Sequence, residues 1–346
     1  MPIIPNIIER LILRSNKIPA PLFMDLPAVG VFHAVSLAVK LGVFEALKDG
    51  PMSPGEVAQK TGAEERGVGI LLGGLDAFGY VRRKQGRYAN SSTTAKWLLR
   101  DSETNVAPFF VDWWRDVVFP FWDSHLEESI RQGKPSTTIY DWLNQHPEHW
   151  PVAQTAFEAL APAFGFGLLS KVKLPPAASR LLDLGGGHGR YSIYFCNRYP
   201  RLTATVFDQA EALVKARKNI AASGMGGRVL LQPGDFWKDD VGTGYDVALL
   251  FNIIHAYLPE RNMELLQKVA GALNPGGLVI IWDQFAERGL GPASRALERF
   301  FALTFLVTMG GQTHSTREVS RWLRASGFEK PRRLFLRPII LATKAS

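Results

Sequence analysis

The chain has 346 residues, 46% apolar and 21% charged, which suits two domains with cores of their own and needs no staples. Its single cysteine excludes an internal disulfide or a multi-cysteine metal site, and Cys196 in the apolar run YSIYFC reads as a packed thiol. The net charge of +8 is spread in short groups such as Arg82–Arg83–Lys84 and Arg332–Arg333, so a basic surface is expected rather than a nucleic-acid track.

At the start, Ile3, Ile4, Ile7, Ile8, Leu11 and Ile12 recur at helical spacing, with Arg10, Arg14 and Lys17 outside the stripe. So short and apolar a helix must be covered, and a partner subunit is favoured over a membrane surface. No basic patch followed by a small-residue cleavage site is visible. The most apolar window, Leu26–Phe44, carries His33, Ser36 and Lys40, and is expected to be a buried helix, not a span. A cytoplasmic location without stable membrane association is the expectation.

Next, SPGEVAQKTG predicts a helix with Ser53 as N-cap, Pro54 in the first turn and Glu56 closing a capping box, ended by Gly62. A second helix through GVGILLGGLDAFG stops at Gly79, and YVRRKQGRYANS predicts two short strands around Gly86. Helix, helix, hairpin is a winged-helix order. The helix that would read DNA carries Ile70, Leu71, Leu72 and Leu75 and few side chains able to address base edges, so it is structural. Residues 1–105 form the expected first domain. The stretch 106–172 is rich in aromatics, among them Trp113, Trp114 and Phe157, as suits helix core and the wall of a flat organic ligand.

From 173 to 346 the order becomes strand, loop, helix, repeated. RLLDL, TATVFD, RVLLQPGD, YDVALLFN and GLVIIWD are nearly continuous apolar runs, the mark of a parallel sheet covered on both faces. RRLFLRPIILATKA predicts a closing hairpin near Pro338. After the first run, Asp183-Leu-Gly185-Gly-Gly187-His-Gly189 opens a helix. Its glycines permit close backbone approach at a helix amino terminus. The third glycine comes one residue early for a dinucleotide fingerprint, and an aspartate precedes the loop. Such a turn suits a ligand with a cationic amine and sulfonium and no pyrophosphate. Asp208, ending the second run, is placed for ribose hydroxyls; Asp235, ending the third, for an adenine amino group, with Phe236 over the ring. As helix caps alone, three acids at three successive strand ends would be a coincidence.

LLDLGGGHGRYS, TVFD, PGDFW, LLFNIIHAYLPERNMELLQKV, LNPGGLVIIWD and GGQTHSTREVSRWLRASGF together resemble the plant-type small-molecule O-methyltransferases and their bacterial relatives, over nearly the whole chain. The resemblance implies an α/β fold: a Rossmann-like class I methyltransferase sheet plus a mainly helical winged-helix dimerisation domain. It implies S-adenosyl-L-methionine as cofactor, S-adenosyl-L-homocysteine as product, no metal, a homodimer, and a small aromatic methyl acceptor. The cofactor residues are then Asp183, Gly185, Gly187, Gly189, Asp208, Asp235, Phe236 and Asn252.

The family's general base matches His255, a strand-end histidine on the sheet edge where open α/β sheets bind ligands. With a pKa near ~6.5 it is able to take a proton from a hydroxyl as the oxygen attacks. The chain departs from the family twice. Ala256 stands where an acid usually follows the base, and Gly310-Gly311-Gln312-Thr313-His314-Ser315 lacks the glutamate that orients it. His314 is the expected substitute, as orienting or acceptor-binding residue. The departures leave sulfur, nitrogen or carbon acceptors open, and also a catalytically silent cofactor-binding regulator. The acceptor wall is expected from Trp113, Trp114, Phe157, Leu160, Phe301, Phe305, Thr308 and Met309. His188 is expected to fill space or touch the cofactor carboxylate.

Overall fold

The computed structural model describes residues 7–15, 19–287, 291–334 and 338–346. Ile3 and Ile4 of the first stripe, Lys17 beside it, and the link at 335–337 in the closing hairpin fall outside them. Two compact units divide the chain, Met1–Arg115 and Asp116–Ser346.

In the first unit, α1 (Ile7–Arg14), α2 (Ala20–Leu41) and α3 (Val43–Ala46) precede α4 (Pro54–Thr61) and α5 (Glu65–Ala77). The capping box forms as the sequence requires: Ser53 accepts from the Glu56 amide, Glu56 accepts from the Ser53 amide, and Gly62 ends the helix in the left-handed region. β1 (Val81–Lys84) and β2 (Arg87–Asn90) pair antiparallel. Gln85 and Gly86 both have positive φ, the turn whose twist suits a two-residue hairpin. α6 (Ser92–Trp97) follows, then a π-helical stretch Pro108–Val118. The core gathers Phe44, Val57, Leu72, Leu75, Val81 and Tyr88. The expectation of a buried Leu26–Phe44 helix is corrected. Val35 and Ala38 are buried, but Leu26 is 77% and Val29 56% exposed, because none of the described residues covers that face. Ile7, Ile8 and Leu11 are exposed as well.

The second unit begins with α7 (Phe119–Gln132), α8 (Ile139–Gln145), α9 (Trp150–Leu160) and α10 (Phe166–Leu169). Pro147–Leu169 is long and apolar enough to cross a membrane by composition. Yet Gln154 donates to the Glu211 carbonyl and Glu158 pairs with Lys215 at 2.9 Å, so this stretch is fastened to the sheet half of its own unit. There follow β3 (Arg180–Leu184), α11 (Arg190–Arg198), β4 (Thr203–Asp208), α12 (Leu213–Ala222), β5 (Val229–Pro233), β6 (Tyr245–Phe251), α13 (Pro259–Ala272), β7 (Leu273–Trp282), α14 (Pro292–Met309), α15 (Thr316–Ala325), β8 (Phe328–Arg333) and β9 (Ile339–Lys344).

The sheet order is β5-β4-β3-β6-β7-β9-β8, parallel from β5 to β7 and antiparallel at β9 and β8. Alternate residues of one strand enter opposite cores: Leu181 and Val247 one, Leu182 and Ala248 the other. The apolar runs are continuous for that reason. Strand order reverses between β3 and β6, and a crevice at the carboxyl ends of such strands is where open α/β sheets bind ligands.

Candidate active site

The glycine turn follows β3 directly. Gly185, Gly187 and Gly189 all have positive φ, and a Cβ on Gly186 would lie 2.6 Å from the Asp183 carboxyl carbon. Asp183 is buried beneath the turn and accepts from the Ser192 hydroxyl at 2.7 Å. Burial pushes its carboxyl up to about 7, against the pull of Ser192. Asp208, the last residue of β4, accepts from the Gly187 amide at 2.9 Å and the Gln209 amide at 2.7 Å. Burial raises it to about 6 despite both donors. The two acids thus brace the turn from either side.

His188 is buried, and its Nδ1 accepts from the Arg190 amide at 3.1 Å, capping α11. Burial, then Arg190 and Lys215, lower its pKa to about 3, so the ring is neutral.

Asp235 lies two residues beyond β5. Lys238 pairs with it at 2.8 Å and the Trp237 amide donates to it at 2.9 Å; the Lys238 hydrogen bond first among these holds its carboxyl below the usual range. Phe236 packs against Trp237 and edge-on to Tyr257. α13 clamps the segment: Lys268 Nζ donates to the Phe236 and Asp239 carbonyls, each at 2.6 Å, and the Arg261 guanidinium lies 3.7 Å over the Trp237 ring. Asn252, with φ of 56°, accepts from Gln284 Nε2 at 3.1 Å.

One contributor was not foreseen. Tyr140 on α8 stacks on Trp150, and burial together with the nearby Asp208 and Tyr257 raises its hydroxyl. α8 is pinned beside Asp208, because Asn144 donates to Gln209 at 3.3 Å and accepts from Trp150 at 3.2 Å. A lone tyrosine in an aromatic-rich stretch carries no sequence signal for such a place.

The acid partner of His255 is the larger surprise. His255 Nδ1 lies 2.6 Å from Asp283 Oδ1, and both residues are buried. Asp283 also accepts from the Ile254, His255 and Gln284 amides at 3.0, 3.3 and 2.7 Å. A carboxylate only accepts, so Nδ1 carries a proton and Nε2 is the nitrogen not held by the acid. The signal was present: Asp283 ends the run GLVIIWD, as Asp208 ends TVFD.

His314 does not orient His255. Its Nε2 bonds the Tyr257 carbonyl at 2.9 Å, and its ring packs edge-on to Trp322, so burial lowers its pKa within the core under α15. The Gly-Gly segment acts through backbone instead. Gln312 N donates to the His255 carbonyl at 3.0 Å, and a Cβ on Gly311 would stand 2.0 Å from that oxygen.

Of the expected wall, Phe305 stacks on the His255 ring at 3.9 Å and 13°, and Phe301 stacks on Phe305. Thr308 is buried and spends its hydroxyl on the Thr304 carbonyl, while Met309 is half-buried at the end of α14. Phe157 and Leu160 lie half-buried on α9. Trp113 and Trp114 are buried and belong to the first unit. Among the described residues no cluster of three His, Cys, Asp or Glu is arranged to hold a metal.

The O-methyltransferase domain model matches residues 130–329, and the O-methyltransferase dimerisation domain model matches 29–101. The chain belongs to the O-methyltransferase family.

This methyltransferase is 30% identical to a 3-hydroxy-5-methyl-1-naphthoate 3-O-methyltransferase of Streptomyces sahachiroi, over 88% of each chain. It is 26% identical to an L-tyrosine C(3)-methyltransferase of Streptomyces lavendulae, covering 89% of this chain and 88% of that one. Human N-acetylserotonin methyltransferase, solved with S-adenosylmethionine, shares the fold at a TM-score of 0.82 and 22% identity, over 96% of this chain and 99% of that chain. The sheet with its helical companion is therefore the class I methyltransferase architecture, and the helix, helix, hairpin region is the family's dimerisation domain.

Proposed function

We propose that this methyltransferase uses S-adenosyl-L-methionine to methylate a hydroxyl of a small aromatic molecule, with His255 as general base. The residues along the sheet edge fit that cofactor. The glycine turn admits close approach, Asp208 offers a carboxylate to ribose hydroxyls, and Asp235 with Phe236 suits adenine. Tyr140 joins the ribose side from α8. Acid side chains without a pyrophosphate cradle favour a cationic ligand over a dinucleotide.

When bound, the cofactor's sulfonium supplies an activated methyl group. The chain's own residues then have little to do beyond alignment and one proton. His255 Nε2 would take the hydroxyl proton as the acceptor oxygen attacks the methyl group that the cofactor, held at the glycine turn, Asp208 and Asp235, would supply. Asp283 stabilises the resulting imidazolium, which returns its proton to solvent. Phe305 fixes the ring plane, and the Gly310–Ser315 segment holds the histidine backbone.

The His255–Asp283 pair carries this reading, because the acid holds Nδ1 and fixes the ring, leaving Nε2 for the acceptor hydroxyl. The test is incubation with methyl-labelled cofactor and a panel of phenols and naphthols, with wild type and His255→Ala. Product formation by wild type and its loss in the variant support the reading; equal turnover by both overturns it. A phenolate is also nucleophilic at its ortho carbon, and the tyrosine C(3)-methylating relative gives that outcome standing; product NMR separates the two. The exposed apolar residues of α1 and α2 and the matched dimerisation domain support a homodimer as the working state, in the cytoplasm.

A further inference from the structure

Glu298, Phe301, Phe305 and Thr308 recur on α14 at intervals of three and four, so they share one face. Phe305 on that face covers His255. Two turns toward the amino terminus, the Glu298 side chain is only 14% exposed. One of its oxygens accepts from the Thr313 hydroxyl at 2.7 Å. Its only ion pair among the described residues is with the adjacent Arg299, at 3.3 Å, whose side chain is 81% exposed and heavily screened. An enclosed carboxylate is costly unless donors or opposite charge satisfy it, and one hydroxyl fills only part of its capacity. Nothing in the reaction at His255 needs this charge.

We propose that Glu298 selects the methyl acceptor by reading a cationic or hydrogen-bond-donating group about 10 Å from the methylated oxygen, the rise of seven helical residues between Glu298 and Phe305. This rests on the aromatic-hydroxyl reading and deepens it: the acceptor is longer than one ring, carries an amine or hydroxyl at its far end, and has no carboxylate there.

Three probes of matched shape test this: 2-naphthol, 6-(aminomethyl)-2-naphthol and 6-hydroxy-2-naphthoate. Binding to the complex with S-adenosylhomocysteine is measured by calorimetry, and methyl transfer by mass spectrometry. Wild type is expected to prefer the amine over the carboxylate by about tenfold or more; E298Q brings the ratio near unity and E298K inverts it, with 2-naphthol within about twofold throughout. Thr313→Val removes the hydroxyl but keeps the charge, and leaves the preference intact. A ratio unmoved by E298Q and E298K overturns the proposal. So does an equal loss for all three probes with a lowered melting temperature, which assigns Glu298 to holding Thr313. If wild type methylates 2-naphthol through His255 and the ratio is flat, only the Glu298 assignment falls. If wild type binds the cofactor product and none of the naphthols, the aromatic-acceptor reading falls with it.

Discussion

His255 and Asp283 meet at 2.6 Å although they stand at the ends of two neighbouring strands, β6 and β7, whose parallel register sets Phe251 beside Trp282. Strand pairing therefore positions the acid, and the acid fixes the imidazole tautomer. Asp283→Asn keeps the shape but offers an amide in place of an acceptor-only group, which permits the wrong tautomer. We expect kcat to fall by about 10²–10⁴-fold, the scale of general-base catalysis, with S-adenosylhomocysteine affinity unchanged. Steady-state kinetics paired with calorimetry checks this; a parallel loss of cofactor affinity would place Asp283 in cofactor binding instead.

Much of this arrangement was readable from residues alone. Continuous apolar runs point to the parallel sheet and capping signals to α4, and both form; the acids flanking the glycine turn point to the carboxyl edge of that sheet, where Asp183 and Asp208 do stand. The sequence offers His314 as an orienting or acceptor-binding residue, because no acid stands beside the histidine or in the Gly-Gly segment; in the structure Asp283 takes the orienting place. Asp283 lies 28 residues away in sequence, and only strand adjacency brings it in. Tyr140 was missed for a similar reason: its position depends on α8 being pinned to Gln209 by Asn144. The exposure of Leu26 and Val29 was also hidden, since hydropathy reports that a face must be covered and not whether the same chain covers it.

Asp208 gives a pH prediction with a definite sign. Its carboxyl is raised to about 6 in the free protein, so it is ionised above that value and protonated below it. Ribose hydroxyls donate to the ionised form, so the proton competes with the cofactor. Affinity for S-adenosylhomocysteine should be level near pH 8 and weaken toward about tenfold per unit once pH falls well below 6. Asp183, raised to about 7 by burial, steepens the decline if it responds to the same ligand. Asp208→Asn should bind more weakly at pH 8 and lose most of the pH dependence. Calorimetry from pH 5 to 8 decides; a wild-type curve that strengthens as pH falls contradicts the placement.

Cover for α1 and α2 predicts the oligomeric state. Replacing exposed Leu26 and Val29 together with glutamate puts two charges on an apolar face. If a second copy covers that face, sedimentation should shift from dimer to monomer at micromolar concentration, and the unfolding temperature should drop with dilution. If the pair of changes leaves both sedimentation and melting unaltered, the face is not the subunit interface.

Gly311 tests whether the Gly-Gly segment serves catalysis through backbone contact. A methyl group there would lie 2.0 Å from the His255 carbonyl oxygen and 2.6 Å from the Ala256 carbonyl carbon, so Gly311→Ala must push two backbones apart. Neither is the end of a flexible side chain, and relief requires moving the 3-10 turn Ile254–Ala256 that carries His255. Overpacking of this kind costs roughly 1–3 kcal/mol of stability. The displaced histidine should lose its alignment as well, so kcat is expected to drop far more than the melting temperature suggests, while cofactor binding at Asp208, two strands away along the sheet's carboxyl edge, stays near wild type. Gln312→Ala serves as the control. The hydrogen bond to His255 uses the Gln312 amide, and its side chain is exposed, so this change should leave kcat within about twofold, as surface substitutions usually do. A Gly311→Ala enzyme with normal kcat and only reduced stability would show that the segment supports the fold and not the base.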